Sequence, residues 1–245
     1  MKVGDVIALL VRVLRGIGGT DHKAAFKEAY ELANKSAFFV AVVMGCVGVI
    51  MTVQSAEQSL RMIGDLALIG PTFLQLLVRE LAPSIVALMV AARYGAGAAA
   101  QIGTMQITEQ IDALRMAGAE PVRVLVMPRF VGGIVGMPVL VVSMGALSFV
   151  AGAVAAHTGF GVSYPAFFNA RMLEVSDIVV GVAKAVAFGG AVPLVACASG
   201  FAARGGAPGV GKATTTAVIG GSLAVLFLDL VIGAAGQVYL MSTRA

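Results

Sequence analysis

Apolar stretches long enough to cross a lipid bilayer recur along this chain. A helix needs about 20 mostly apolar residues to cross a hydrocarbon core about 30 Å thick. Only 12% of the residues are charged, about half the share usual in a soluble domain. We therefore predict an all-α integral membrane protein with about five transmembrane helices. The predicted spans are 36–53, 81–102, 130–156, 178–201 and 214–240.

The N-terminal segment is amphipathic rather than spanning. Apolar residues recur at steps of three and four over 3–17, and the charged residues lie off that stripe. This pattern predicts a helix in the plane of the membrane interface. Residues 18–35 are polar and helix-prone. We thus expect a cytoplasmic or interfacial unit at 1–35 and a transmembrane permease unit at 36–245.

Three connecting segments carry further structure. Residues 66–78 are apolar but short for a span, so they are expected to be interfacial or re-entrant. The 104–129 segment is a polar loop with an amphipathic helix at about 104–118, ended by Gly118 and Pro121. A short helix is expected in the loop after the third span, at 163–173.

The positive charges predict the topology. Most Lys and Arg residues outside the spans lie in the N-terminal segment and in the loops 104–129 and 202–212. The positive-inside rule places these three segments in the cytoplasm. Scattered bases without interleaved aromatics argue against a nucleic-acid partner.

The glycines and the lysine at 206–213 nearly match the motif of a phosphate-binding loop. The position after Lys212 is Ala213 rather than the Ser or Thr that would hold magnesium, and an apolar span precedes the motif. We interpret the segment as a glycine-rich cytoplasmic turn at a helix start. No catalytic constellation, metal-ligand spacing or cofactor motif is found, so we predict a non-enzymatic subunit without metal or cofactor.

Three charged residues fall within the predicted spans: Arg93, Lys184 and Asp229. Charges are costly in hydrocarbon, so each is expected to face the protein interior, a cavity or a partner. Lys184 and Asp229 lie at similar depths and are candidates for an ion pair. Such a pair could serve helix packing or a polar path for a lipid headgroup, and the sequence leaves both readings open.

From Arg79 to about Asp229 the chain resembles the MlaE/YrbE permease family of bacterial lipid ABC transporters. Its motifs are Arg-Glu-Leu-x-Pro at 79–83 and Gly-Thr-Met-x-x-Thr-Glu-Gln-Ile-Asp-Ala-Leu at 103–114. The Pro-x-Arg and Pro-Arg pairs at 121–129 and the loop 205–218 also fit. Ala82 replaces a glycine that is frequent in the first motif.

The resemblance implies a homodimeric permease in the bacterial inner membrane, bound by an MlaF-like ATPase and a periplasmic MlaD-like protein with an MCE domain. It implies transport of phospholipids or related lipids between the inner membrane and the periplasm or outer membrane, which maintains the lipid asymmetry of the envelope. ATP hydrolysis would then belong to the separate ATPase subunit.

The resemblance also implies roles for particular residues. The 104–118 helix would be the coupling helix that docks into the ATPase, through Met105, Thr108, Glu109, Gln110 and Asp112. A lipid pathway facing the periplasm is expected near Leu74, Leu77, Arg93, Tyr94, Lys184 and Asp229. Arg123 and Arg129 match the family motif, with either a structural or a headgroup role.

Two other functions remain open from the residues alone. A secondary transporter or channel would use Arg93, Lys184 and Asp229 as an ion relay. A membrane scaffold without transport would tolerate the loss of every charge within the membrane.

Overall fold

The computed structural model of the chain describes residues 3–16, 21–62, 66 and 68–244, and none of these residues forms a strand. Five helices are long and apolar enough to span a membrane, which confirms the predicted all-α membrane fold. Two of the spanning helices contain π-helical turns, at Leu77–Leu81, Ala91–Gly95 and Val122–Val126. The helices are α1 Val3–Gly16, α2 His22–Met62, α3 Ile69–Ile107, α4 Gln110–Met116, α5 Val122–Phe160, α6 Tyr164–Phe167, α7 Val175–Phe201 and α8 Ala207–Arg244.

The helix α1 is amphipathic, as predicted, and it has two apolar sides. Leu9 and Val13 are buried against the bundle. Ile7 and Leu14 are more than half exposed on another side. A helix lying in the membrane interface would present such a side to lipid.

The first spanning helix begins earlier than its apolar stretch. The polar connection predicted at 18–35 is, from His22 onward, the first part of the 41-residue helix α2. Residues 18–20 of that connection, and residue 17 of the predicted amphipathic helix, lie outside the described part of the chain. Good helix formers such as Ala, Glu and Lys continue the helix beyond the apolar region.

The prediction of a separate interfacial or re-entrant segment at 66–78 is wrong. Residues from Ile69 onward belong to α3, which runs without a break to Ile107. Pro71 lies in the first turn, where a missing N–H is tolerated. Pro83 lies two residues after the π turn, which ends at Leu81, and this wider turn accommodates the proline inside the helix.

The polar loop at 104–129 is shorter than predicted. The helix α3 continues to Ile107, and α5 begins at Val122, again with a π turn just before a proline, Pro128. The prediction of a single helix over 104–118 is also wrong, because Thr108 and Glu109 separate α4 from α3. The predicted stop at Gly118 is confirmed: its φ of 75° and the bond from Ala119 N–H to the Leu114 carbonyl end α4.

The other two connections agree in part with prediction. The short helix expected in the loop after the third span is α6. The glycine-rich turn is confined to Gly205 and Gly206, which have positive φ angles. The rest of the motif, including Lys212, is already helical in α8.

Glycines allow the spanning helices to approach closely. A Cβ atom on Gly133 of α5 would lie 2.1 Å from the carbonyl oxygen of Gly189 in α7, and one on Gly181 would lie 2.3 Å from the carbonyl oxygen of Val78. Small residues let helix backbones meet in lipid. The helix α7 is the most buried span, whereas α8 leaves a large apolar side exposed.

Candidate functional site

Lys184 is the buried centre of an ionic cluster between three helices. Its side chain is fully buried, and its ammonium group pairs with the carboxylates of Glu80 in α3 and Asp229 in α8. The distance to Asp229 Oδ1 is 2.8 Å, which confirms the predicted ion pair. Ser84 Oγ donates a hydrogen bond of 3.0 Å to the same Asp229 oxygen.

A second ion pair extends the cluster along α3. Arg79 Nη1 lies 3.3 Å from Asp177 Oδ1 of α7, and Gln75 Nε2 donates to Asp177 Oδ2 at 3.0 Å. Arg79 Nε also lies 3.6 Å from Glu80 Oε1, which joins the two halves. We call the whole set the outer network: Gln75, Arg79, Glu80, Ser84, Asp177, Lys184 and Asp229.

The outer network contains two cations and three carboxylates, and every charged group in it has an opposite partner. Such pairing offsets the large cost of taking charges out of water. The π turn Leu77–Leu81 presents both Arg79 and Glu80 to α7. With its i to i+5 bonding, a π turn separates neighbouring side chains less around the axis than an α turn does.

An apolar cavity of about 300 Å³ lies beside the outer network, between α3, α5 and α7. Leu74, Leu77, Val78 and Ala82 of α3 line it, next in sequence to Gln75, Arg79 and Glu80. All its other lining residues are apolar too, among them Pro138 and Phe149. The cavity is within the size range of small-molecule sites.

Tyr94 belongs to a different cluster, near the other end of α3. Its hydroxyl donates to Glu28 Oε2 at 2.8 Å. Arg129 Nε lies 3.3 Å from Glu28 Oε1, and Arg129 Nη2 donates to Gln101 Oε1 at 2.9 Å. We call Glu28, Tyr94, Gln101 and Arg129 the inner network, which joins α2, α3 and α5.

Arg93 is separate from both networks. It is exposed, and its Nε donates to the Lys35 carbonyl of α2 at 2.7 Å. The structure therefore brings Lys184 and Asp229 together with Glu80, but it places neither Arg93 nor Tyr94 with them. The six residues predicted for a lipid pathway fall into four places: Leu74 and Leu77 at the cavity, Lys184 and Asp229 in the outer network, Tyr94 in the inner network, and Arg93 apart from both networks.

The predicted coupling residues lie around the tip between α3 and α5. Met105 is in the last turn of α3 and packs against the buried cluster beneath α1. Thr108, Glu109, Gln110 and Asp112 are exposed. Glu109 has a φ of 59°, the one positive φ at a non-glycine position in the described chain.

The three segments predicted to be cytoplasmic meet at one end of the bundle. A cleft of about 790 Å³ lies between α1, the α4 region and the junction of α7 with α8. Arg12, Arg115, Glu120 and Arg204 are among the residues that line it. Of the two motif arginines, Arg123 is exposed near this end, whereas Arg129 is buried in the inner network.

The partners of these charges were not predicted from the sequence. Arg79 and Glu80 were taken to lie at the outer edge of a span, because residues 66–78 were separated from the helix that follows. The spacing of Gln75 and Arg79, one helical turn apart, could have indicated a common face. Nothing in the sequence pairs Glu28 or Gln101 with Arg129.

Comparison with known proteins identifies the family. The family model for the MlaE permease matches residues 25–235. The chain belongs to the MlaE permease family. A probable ABC transporter permease of Rickettsia typhi is 37% identical to this MlaE-family permease over 158 residues, 64% of this chain and 61% of its own length. The chain thus spans about three fifths of that relative.

Two other relatives match over more of their length. The intermembrane phospholipid transport system permease protein MlaE of Haemophilus influenzae is 35% identical over 203 residues, 81% of this chain and 74% of its own. A probable ABC transporter permease of Synechocystis is 30% identical over 210 residues, 85% of this chain and 80% of its own. This MlaE-family permease has five helices long and apolar enough to span a membrane, and it is similar to proteins named as ABC transporter permeases.

Proposed function

We propose that the chain is the membrane subunit of an ABC transporter that moves phospholipids or related lipids between the bacterial inner membrane and the periplasm or outer membrane. The observation that carries the proposal is the apolar cavity beside the outer network. A phospholipid needs apolar walls for its chains and charged or polar groups for its headgroup. The name of the Haemophilus relative supports the same substrate class.

Within this proposal the cavity residues Leu74 and Leu77 hold part of an acyl chain. Arg79 and Lys184 supply the positive charges that a phosphate headgroup would approach. Glu80 and Asp229 keep Lys184 paired when no lipid is bound. The protein contributes a difference in lipid affinity between two states rather than bond chemistry.

A second copy of the chain and soluble or anchored partners complete the proposed transporter. The exposed apolar side of α8, with Leu223, Phe227 and Leu230 each more than 60% exposed, is available to lipid or to a homodimer partner. The exposed tip at Thr108–Asp112 is proposed to dock into an MlaF-like ATPase, which hydrolyses the ATP. An MlaD-like MCE protein on the periplasmic side would receive or deliver the lipid, and this exchange would maintain envelope asymmetry.

The ion-relay alternative receives less support from the geometry. A relay through the three charges within the membrane needs them in one path. Lys184 and Asp229 are in direct contact, but Arg93 bonds to the α2 backbone instead. The outer network also leaves no charged group without an opposite partner.

Co-purification of an ATPase tests the proposal, with Glu109 as the variable position. We expect an ATPase to co-purify with the wild-type chain from detergent-solubilised membranes and to be lost with Glu109→Lys, which reverses the charge at the exposed tip. Glu109→Gly is the matched control for the backbone, because glycine adopts the positive φ without strain. The lysine and glycine variants together distinguish an effect of the reversed charge from an effect of altered backbone geometry at Glu109.

The outcomes are distinct. Loss of the ATPase with the lysine variant and retention with the glycine variant supports docking through this tip. Absence of any ATPase from the wild-type preparation contradicts the ABC transporter assembly proposed here. In that case the ion-relay and scaffold functions become the leading explanations.

A further inference from the structure

The coupling segment, residues 108–121 between α3 and α5, is closed at its base by one hydrogen bond. Gln101 lies near the end of α3 and Arg129 near the start of α5, so the two residues flank this segment. Arg129 Nη2 donates to Gln101 Oε1 at 2.9 Å. The two helical stems that carry the coupling segment are thereby tied to each other.

The same guanidinium group ties both stems to the first spanning helix. Arg129 Nε lies 3.3 Å from Glu28 Oε1, while Glu28 Oε2 accepts the hydroxyl of Tyr94 at 2.8 Å. Glu28 thus uses both carboxylate oxygens, one for each stem. The planar fork of arginine permits one side chain to hold two partners in fixed directions.

Burial makes these bonds strong. Arg129 is 4% exposed and Tyr94 is 7% exposed. Hydrogen bonds that involve a charged group in a low-dielectric surrounding are stronger than those at a surface.

One donor of this cluster is unused. Arg129 Nη1 is buried and has no hydrogen-bond partner among the described residues. A buried unsatisfied donor is costly. A rearrangement of the surrounding helices that supplied an acceptor would therefore gain stability, which suits a cluster that changes partners between two states.

We propose that Arg129, held by Glu28 and Gln101, is a positioning residue that makes the coupling segment move the spanning helices as one unit. The inference rests on the proposed function, since it requires an ATPase that acts on this segment. With the clamp in place, displacement of the tip shifts α3 and α5 together and carries α2 with them. Without the clamp, the two stems move independently and the displacement is absorbed locally.

The test measures lipid moved per ATP hydrolysed. The full-length chain, co-purified with its ATPase, is reconstituted into vesicles of phosphatidylethanolamine and phosphatidylglycerol that contain a fluorescent phospholipid. Glu28→Gln and Gln101→Leu each remove one bond of the clamp. Glu31→Gln is the matched control, because Glu31 lies three residues further along α2 in an exposed ion pair with Lys35.

We expect Glu28→Gln and Gln101→Leu to lower the lipid moved per ATP by about tenfold, within the range by which coupling networks respond to mutation. The ATPase should co-purify in wild-type amounts, and ATP hydrolysis should continue. Glu31→Gln should leave the ratio unchanged. Gln101 is exposed, so its variant should fold even if Glu28→Gln does not.

A second measurement separates positioning from simple stability. Arg129→Lys keeps the charge but cannot hold both partners. The double variant Arg129→Lys/Gln101→Leu should lower the lipid moved per ATP by no more than either single change does. A lipid-to-ATP ratio equal to wild type in Gln101→Leu and Arg129→Lys overturns the inference while the proposed function stands. A wild-type complex that contains an ATPase but moves no lipid contradicts the proposed function itself, and the inference with it.

Discussion

Leu74 and Leu76 lie two positions apart in α3 but have different surroundings. Leu74 lines the apolar cavity, whereas Leu76 is 42% exposed and does not line it. A larger side chain at Leu74 would fill the space proposed for an acyl chain. The same substitution at Leu76 would extend outward from the helix.

We therefore predict that Leu74→Trp lowers the rate of lipid transfer by at least about tenfold, since misplacing or excluding a substrate commonly lowers a rate by this much or more. Leu76→Trp should transfer lipid at close to the wild-type rate. A fluorescent-phospholipid transfer assay on reconstituted vesicles measures both. Equal activity of the two variants would show that the cavity is not on the lipid path.

The contacts of single residues could be predicted from the sequence only where depth in the membrane determined which residues meet. Lys184 and Asp229 were paired because they lie at similar depths in neighbouring spans, and the structure confirms that pair. Glu80 was missed because its position was assigned outside the membrane. Tyr94 was placed with lipid because it is the only ring in its span, although its hydroxyl needed a buried acceptor, Glu28.

At the level of helices, the crossing of α5 and α7 depends on two glycines. A Cβ atom on Gly133 would come within 2.1 Å of Gly189 O, a distance that only separation of the helices could relieve. Gly97 of α3 has nothing within 4 Å of the corresponding position. The two positions therefore separate the packing effect of a methyl group from its effect on helix propensity.

We predict that Gly133→Ala lowers the unfolding temperature in detergent and that Gly97→Ala leaves it unchanged or raises it. Overpacking of a close contact typically costs about 1–3 kcal/mol, whereas replacing glycine by alanine inside a helix gains up to about 1 kcal/mol. Thermal unfolding of the two purified variants, followed by circular dichroism, measures the difference. A Gly133→Ala variant as stable as wild type would contradict the tight α5–α7 crossing.

Helix type was predictable from sequence, and helix ends were not. Apolar content identified five spans but could not show that polar helix formers extend α2 back to His22. The stretch 66–78 was too short for a span and was separated from 81–102, although both belong to one helix that contains Pro71 and Pro83. Whether a proline ends a helix depends on the turn before it, and a π turn leaves no signal in apolar periodicity.

For the whole molecule, alternation of the five spans determines which loops share a side of the membrane. The segment after α4 and the segment after α6 are separated by a single spanning helix, α5, and so lie on opposite sides. Ala117 and Arg171 are exposed positions in these two segments. The positive-inside rule places Ala117 in the cytoplasm.

We predict that a membrane-impermeant maleimide labels Arg171→Cys in intact spheroplasts and labels Ala117→Cys only in inverted membrane vesicles. The background carries Cys46→Ala, because Cys46 is exposed, and retains the buried Cys197. Labelling is read by mass shift after purification. The opposite pattern would reverse the topology and place the tip at Glu109 away from any cytoplasmic ATPase.

The number of spans could be derived from composition, because the bilayer thickness imposes their length. The side of each loop stays a prediction from charge. The clusters that join the helices could not, because they depend on contacts between residues about 100 positions apart, as for Arg129 with Glu28. Resemblance to a family supplied the proposed role of the coupling segment, which stays a prediction. Only the structure shows which buried residues connect to it.

The π turns of α3 have a consequence for how relatives of this chain should be aligned. Each π turn contains one residue more than the α turn it replaces, and each residue of an α-helix advances about 100° around the axis. The wider turn takes up the extra residue, so deletion of one residue at 77–81 or 91–95 would convert the π turn to an α turn and leave the residues that follow on their present faces. A relative with a one-residue gap at either place should therefore present the same downstream side chains to its neighbours, and the gap belongs inside the π turn.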